Sequence, residues 1–263
     1  MSQTTQLILN RLRDKMHQAG YSDYMISRAV ELVNELHQRG VQGLDRFVRK
    51  LSDNLGNKDN GEDYYESYLD ILKEGRFAQI LVRNGFKQVA IEYSQKGPDI
   101  KAAYNKRTVH FEITRKRENE EDDAIHQSKK GVGWISPYRI DNLRSTIQEE
   151  KGQLISGELN IVVLWSDTIT VGHHQIEWAV EDIRREIEDD PDKYRKMSGI
   201  LFTSGVSYPN GTPKQFLLFR NDKGDARLPN RLANKLQSMT EEDPRKLKGG
   251  HEDLAAAMRK RCH

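Results

Sequence analysis

Up to residue 55, apolar residues return every three or four positions, the spacing of helices that each bury one side. Leu7, Ile8 and Leu12 mark a first helix, with Gly20 as its stop. Ser22 reads as the N-cap of a second, which carries Met25, Ile26, Ala29, Val30, Val33 and Leu36 on one face before Gly40. Leu44, Phe47, Val48 and Leu51 mark a shorter third. The stretch NLGNKDNGED then reads as a linker.

From Glu62 the pattern changes. A long helix is predicted through YYESYLDILKEGRFAQILVRNG, closed by Gly85 as its C′ glycine. Three extended segments follow, Lys87–Tyr93, Asp99–Tyr104 and Thr108–Thr114. The last two form a hairpin around Asn105 and Lys106. A helix over Ile140–Ile155 leads into NIVVLW (Asn160–Trp165), whose unbroken apolar run is that of a strand buried on both faces. A helix over His174–Ile187 and strands at Gly199–Thr203 and Gln215–Arg220 complete the frame. Helix, three strands, helix, strand is the order of an α/β fold with a mixed central sheet covered by helices. The expected organisation is a helical N-terminal region (1–55), an α/β core (62–224) and a charged tail (225–263) in which Arg227–Met239 forms one more helix.

Composition narrows the function classes. Charged residues make up 31% and hydrophobic ones 36%, polar for a globular chain but compatible with a core. The net charge of +2 selects no nucleic-acid partner by itself, so any such case must rest on local groups. A single cysteine, Cys262, leaves no internal disulfide and no cysteine zinc site. The N-terminus lacks the basic start and apolar stretch of a signal peptide, and no apolar run approaches the roughly 20 residues of a membrane helix. These features predict a cytoplasmic protein with no membrane partner.

The candidate chemistry lies in GPDIKAAYNKRTVHFEITRK, from Gly97 to Lys116. Asp99 opens one hairpin arm and Glu112 lies on the other, where the two can face each other across the ladder. Carboxylates that close repel unless a positive group sits between them. Glu112 lies in the apolar run VHFEI, where a carboxylate without compensation is costly to bury. Hard oxygen donors with no cysteine or paired histidine favour Mg²⁺ or Mn²⁺ over Zn²⁺.

This segment resembles the signature of the PD-(D/E)xK, or restriction-endonuclease-like, nuclease superfamily, with Pro98-Asp99 as its Pro-Asp and Glu112 as its acidic strand residue. The preceding helix is similar to the family's first helix, whose glutamate would be Glu74, three turns before Gly85-Phe86. The segments IQEEKGQL and NIVVLW resemble the helix and buried strand that complete an αβββαβ core. The resemblance implies metal-dependent phosphodiester hydrolysis on DNA, with Mg²⁺ or Mn²⁺ held by Glu74, Asp99, Glu112 and the Ile113 carbonyl. Arg115, Lys116 and Gln153 would then meet nucleic acid.

One departure stands out. The family's lysine, two residues after the acidic one, is here Thr114, whose hydroxyl carries no positive charge. Lys151, on the following helix, is the preferred replacement for polarising the attacking water, and Lys116 the second choice. The rival expectation is a catalytically silent descendant that keeps the fold to bind nucleic acid or protein. The N-terminal helices are a candidate surface for a homodimer or a protein partner. A weaker alternative makes them a helix-turn-helix presenting Arg28, Arg46, Arg49 and Lys50 to DNA.

Overall fold

The computed structural model describes residues 3–55, 62–92, 97–116, 144–148, 151–166, 173–204 and 216–241. Among the described residues, six strands form one mixed sheet in sequential order. β1 (Lys87–Ile91), β2 (Ile100–Tyr104) and β3 (Arg107–Lys116) make an antiparallel meander. β4 (Leu159–Ser166) runs parallel to β3, and β5 (Gly199–Ser204) parallel to β4. β6 (Leu217–Arg220) closes the sheet antiparallel to β5. The helices are α1 (Gln3–Gln18), α2 (Asp23–Gln38), α3 (Leu44–Asp53), α4 (Glu62–Arg83), α5 (144–148), α6 (His173–Asp189) and α7 (Asn230–Gln237). The fold is therefore mixed α/β, with α4, three strands, α5 and β4 in the expected order. No helix among the described residues is long and apolar enough to cross a membrane.

Strand alternation divides the apolar residues between two clusters. Phe111, Ile161, Val163 and Trp165 point into one, with α4, the N-terminal helices and α7. Val162 and Leu164 point into the other, with Ile147 of α5 and Ala179, Val180 and Ile183 of α6. This explains why NIVVLW is apolar throughout: β4 is covered on both faces. On α4, Phe77 meets Phe111 edge-on at 5.2 Å between ring centres.

The N-terminal helices use their apolar faces in the first cluster, where Leu32, Leu36, Phe47 and Leu51 are buried. Ser22 caps α2 as expected, its Oγ accepting from the Met25 N–H at 3.4 Å. Gly75 lets α2 and α3 close on α4, for a Cβ there would stand 2.4 Å from the Phe47 ring and 3.1 Å from Leu32. A mid-helix glycine costs α4 about 1 kcal/mol relative to alanine, and the close approach offsets it. The start of α3 is fastened to the sheet edge as well. Gln42 donates to Val89 O at 2.9 Å and accepts from the Ile91 N–H at 3.0 Å, which covers part of edge strand β1.

Three expectations need correction. β1 stops at Ile91 rather than Tyr93, because Glu92 turns to φ 52°. The helix expected over Ile140–Ile155 is described as α5 at 144–148 and as a 3-10 turn at Lys151–Gln153, after which Leu154 and Ile155 are not helical; residues 140–143 and 149–150 lie outside the described residues. The chain after that turn is held by buried Asn160, which donates to the carbonyls of Ile155 at 2.7 Å and Glu158 at 2.9 Å. The last helix starts at Asn230 instead of Arg227, since Pro229 disfavours helical backbone in the residue before it.

Gly43 and Gly40 give a controlled test of the α3 fastening. Both have positive φ (80° and 74°), yet a Cβ at Gly43 would fall 1.8 Å from Ile91 O, whereas Gly40 has open space. Gly40→Ala is expected to lose about 1 kcal/mol and Gly43→Ala about 3 kcal/mol or more, measured by urea unfolding. Equal losses would contradict the fastening.

Candidate metal centre

α4 runs antiparallel to β3, with Asp70 over Arg115 and Phe77 over Phe111. Glu74 lies between these two levels and is buried at 6% exposure. At the end of β1, Glu92 holds a left-handed conformation uncommon for glutamate, which other contacts must maintain. Its N–H donates to Asp99 O at 2.9 Å, and its own carbonyl accepts from Arg46 Nη1 at 3.1 Å. Asp99, just before β2, accepts from the Ile113 N–H through Oδ2 at 2.8 Å. Each of Glu74, Glu92 and Asp99 offers one carboxylate oxygen, and the three lie within 4.8 Å of one another.

A cation already stands among them. Lys50 of α3 donates through Nζ to both oxygens of Glu74, at 3.0 and 3.2 Å, and to Glu92 Oε1 at 2.5 Å. Burial and then the Asp99 charge push the Glu74 carboxyl well above the usual glutamate range, although Lys50 pulls it back. Burial opposes the Lys50 charge, but Glu74, Glu92 and Asp99 outweigh it and hold the ammonium above the usual lysine range. The cluster thus has more negative charge than one lysine neutralises.

The other sequence candidates fall at different places. Glu112 is buried at 3% exposure, one rung beyond the Ile100–Phe111 pair and so beside Asp99 on the ladder. Alternation along β3 sends Phe111 and Ile113 toward α4, and Glu112 and Thr114 to the opposite face, beside Val162 and Leu164. Asp99 thus joins Glu74 and Glu92, whereas Glu112 is outside that group of three. Oε2 of Glu112 accepts no hydrogen bond, although the residue has other interactions. The Arg115 side chain is 5% exposed and its Nε donates to Asp70 at 2.7 Å, so its charge is engaged inside the fold. Gln153 is exposed. The side chains of Lys116 and Lys151 lie outside the described residues.

No protein-family model, curated protein or solved structure matches this chain. The site must therefore be read from its own chemistry. Its oxygen donors are hard and anionic, which suits Mg²⁺ or Mn²⁺.

Glu92 is absent from the sequence candidates, and Lys50 figures among them only as a DNA-facing residue, not as a partner of the acidic cluster. Glu92 had a signal, since it ends the apolar run VAIE much as Glu112 ends VHFE. Lys50 had only a faint one, its place three residues after Phe47 at the margin of the apolar face of α3. Two residues of the helix-turn-helix expectation have partners within the fold. Exposed Arg46 donates to the Glu92 carbonyl and half-buried Lys50 to its carboxylate.

The raised Glu74 pKa has a definite consequence for stability. The native state holds this proton after the unfolded chain has released it. The contribution is therefore complete below the ordinary value of 4.5 and is lost as pH rises through the raised one. In chelator, the unfolding free energy of wild type is expected to fall more steeply above pH 4.5 than that of Glu74→Gln. Parallel pH curves for the two proteins would contradict this.

Proposed function

We propose that this protein is a divalent-metal-dependent nuclease of the PD-(D/E)xK kind, hydrolysing phosphodiester bonds in DNA. The observation that carries the reading is the convergence of Glu74, Glu92 and Asp99 within 4.8 Å. They stand at the junction of the first core helix with the first two strands of an αβββαβ arrangement. The antiparallel meander β1–β3 and the parallel placement of β4 support a restriction-endonuclease-like core.

Asp99, Glu74 and Glu92 are the residues that would hold Mg²⁺ or Mn²⁺, with Glu112 beside Asp99 on the ladder but outside their group. When bound, such an ion polarises a phosphoryl oxygen and lowers the pKa of water. The chain's own contribution is to orient the carboxylates. The Ile113 N–H fixes Asp99, and Arg46 fixes the turn that presents Glu92. Lys151 remains the residue proposed to supply the positive charge that Thr114 lacks.

A second reading is a catalytically silent binding protein. It is favoured by Thr114 and by the Lys50 ammonium, which supplies positive charge to the carboxylates without any ion.

The test is cleavage of supercoiled and linear DNA in Mn²⁺, with EDTA as control. Asp99→Ala is expected to lower the rate by about 100-fold or more, as removal of one member of a cooperating site does. Thr114→Lys separates the two readings. It should add cleavage to a silent protein with intact carboxylates and add little to an enzyme that already has its cation. Cleavage unchanged by Asp99→Ala would contradict the nuclease assignment.

A further inference from the structure

We infer that the Lys50 ammonium and a divalent cation are alternative occupants of the Glu74–Glu92–Asp99 cluster, so that Lys50 sets how tightly this site holds metal. The inference rests on the metal-centre reading above and adds a determinant from outside the α/β core.

Three observations carry it. First, Nζ of Lys50 touches oxygens of two of the three clustered carboxylates, the same small volume an ion on those groups would need. An ammonium and a divalent cation in contact there would repel strongly, because the partly buried setting screens charge far less than water does. Second, Lys50 is able to leave. Its side chain is 37% exposed, against 8% for Glu74 and 19% for Glu92. A flexible four-carbon stem can carry the ammonium to solvent while α3 stays in place. Third, the backbone that carries the carboxylates is held in place. Glu74 is on a long helix under α3, and the Glu92 backbone is held by Asp99 and Arg46.

The approach of α3 is itself built in. Gly75 admits Phe47, the residue one turn before Lys50, and Gly43 lets the helix begin against Ile91. Lys50 thus acts as a resident counter-ion that lowers apparent metal affinity by the free energy of its own displacement. It also keeps the acidic cluster from destabilising the fold when metal is scarce.

The experiment uses the full chain as wild type, Lys50→Met and Lys50→Arg, with Mn²⁺ binding followed by calorimetry and thermal unfolding measured with and without Mn²⁺. Lys50→Met is expected to bind Mn²⁺ at least tenfold more tightly than wild type. It should melt lower than wild type in chelator and regain more on Mn²⁺ addition. Lys50→Arg should stay close to wild type in affinity. If Lys50→Met folds only when Mn²⁺ is present, that also supports the proposal, since the ion then does what the ammonium did. Equal Mn²⁺ affinity in wild type and Lys50→Met would overturn shared occupancy and leave the metal centre standing. Failure of Lys50→Met to fold even with Mn²⁺ would overturn it too, because the ion could not replace the ammonium. Absence of Mn²⁺ binding in all three proteins would overturn both this proposal and the metal-centre reading.

Discussion

The arrangement of this protein depends on compensating three carboxylates gathered in a partly buried place. Glu74, Glu92 and Asp99 stand within 4.8 Å of one another, and at buried Glu74 both burial and the Asp99 charge penalise the ionised form. Lys50 relieves part of that penalty from α3, whose approach sets its ammonium on Glu74 and Glu92. Gly75 and Gly43 are the residues that allow α3 to lie there. The N-terminal helices are thereby bound to the sheet by a polar contact as well as by the apolar cluster around Phe47 and Leu51.

The sheet imposes a second constraint. Because β3 alternates, the carboxylate of Glu112 and the hydroxyl of Thr114 belong to the face covered by α5 and α6, while α4 and Glu74 lie on the other. Asp99 stands where the two sides meet. Its carboxylate accepts from the backbone of Ile113, next to Glu112, and also lies within the group formed with Glu74 and Glu92. A centre built here draws ligands around the end of the β2–β3 hairpin, which explains why one turn residue can couple a helix to a strand.

Much of the frame was legible because period and punctuation agree in it. Ser22, Gly20 and Gly85 bound amphipathic helices, and NIVVLW marks a strand covered twice. The hairpin of β2 and β3 followed from Asn105 and Lys106, both with positive φ in the turn. The acidic centre was legible only in part. Glu74 and Asp99 were proposed from the resemblance to the nuclease signature, through the place of Glu74 before Gly85-Phe86 and the Pro98-Asp99 pair. Lys50, by contrast, meets Glu74 and Glu92 across 24 and 42 residues of chain, a contact made by tertiary packing that no local period encodes. Glu92 was hidden by reading β1 as running on to Tyr93, for its role begins where the strand turns to a left-handed residue. The helix expected over Ile140–Ile155 misled for a related reason, since Asn160 captures the turn after Gln153 through side-chain bonds invisible to a helical pattern.

The most direct measurement is an anomalous-difference map from crystals of the wild-type protein grown in saturating Mn²⁺. The account predicts one strong peak bounded by carboxylate oxygens of Glu74, Glu92 and Asp99, with the Lys50 ammonium withdrawn from Glu74. A map with no peak there, and with Lys50 still bridging Glu74 and Glu92, would contradict it.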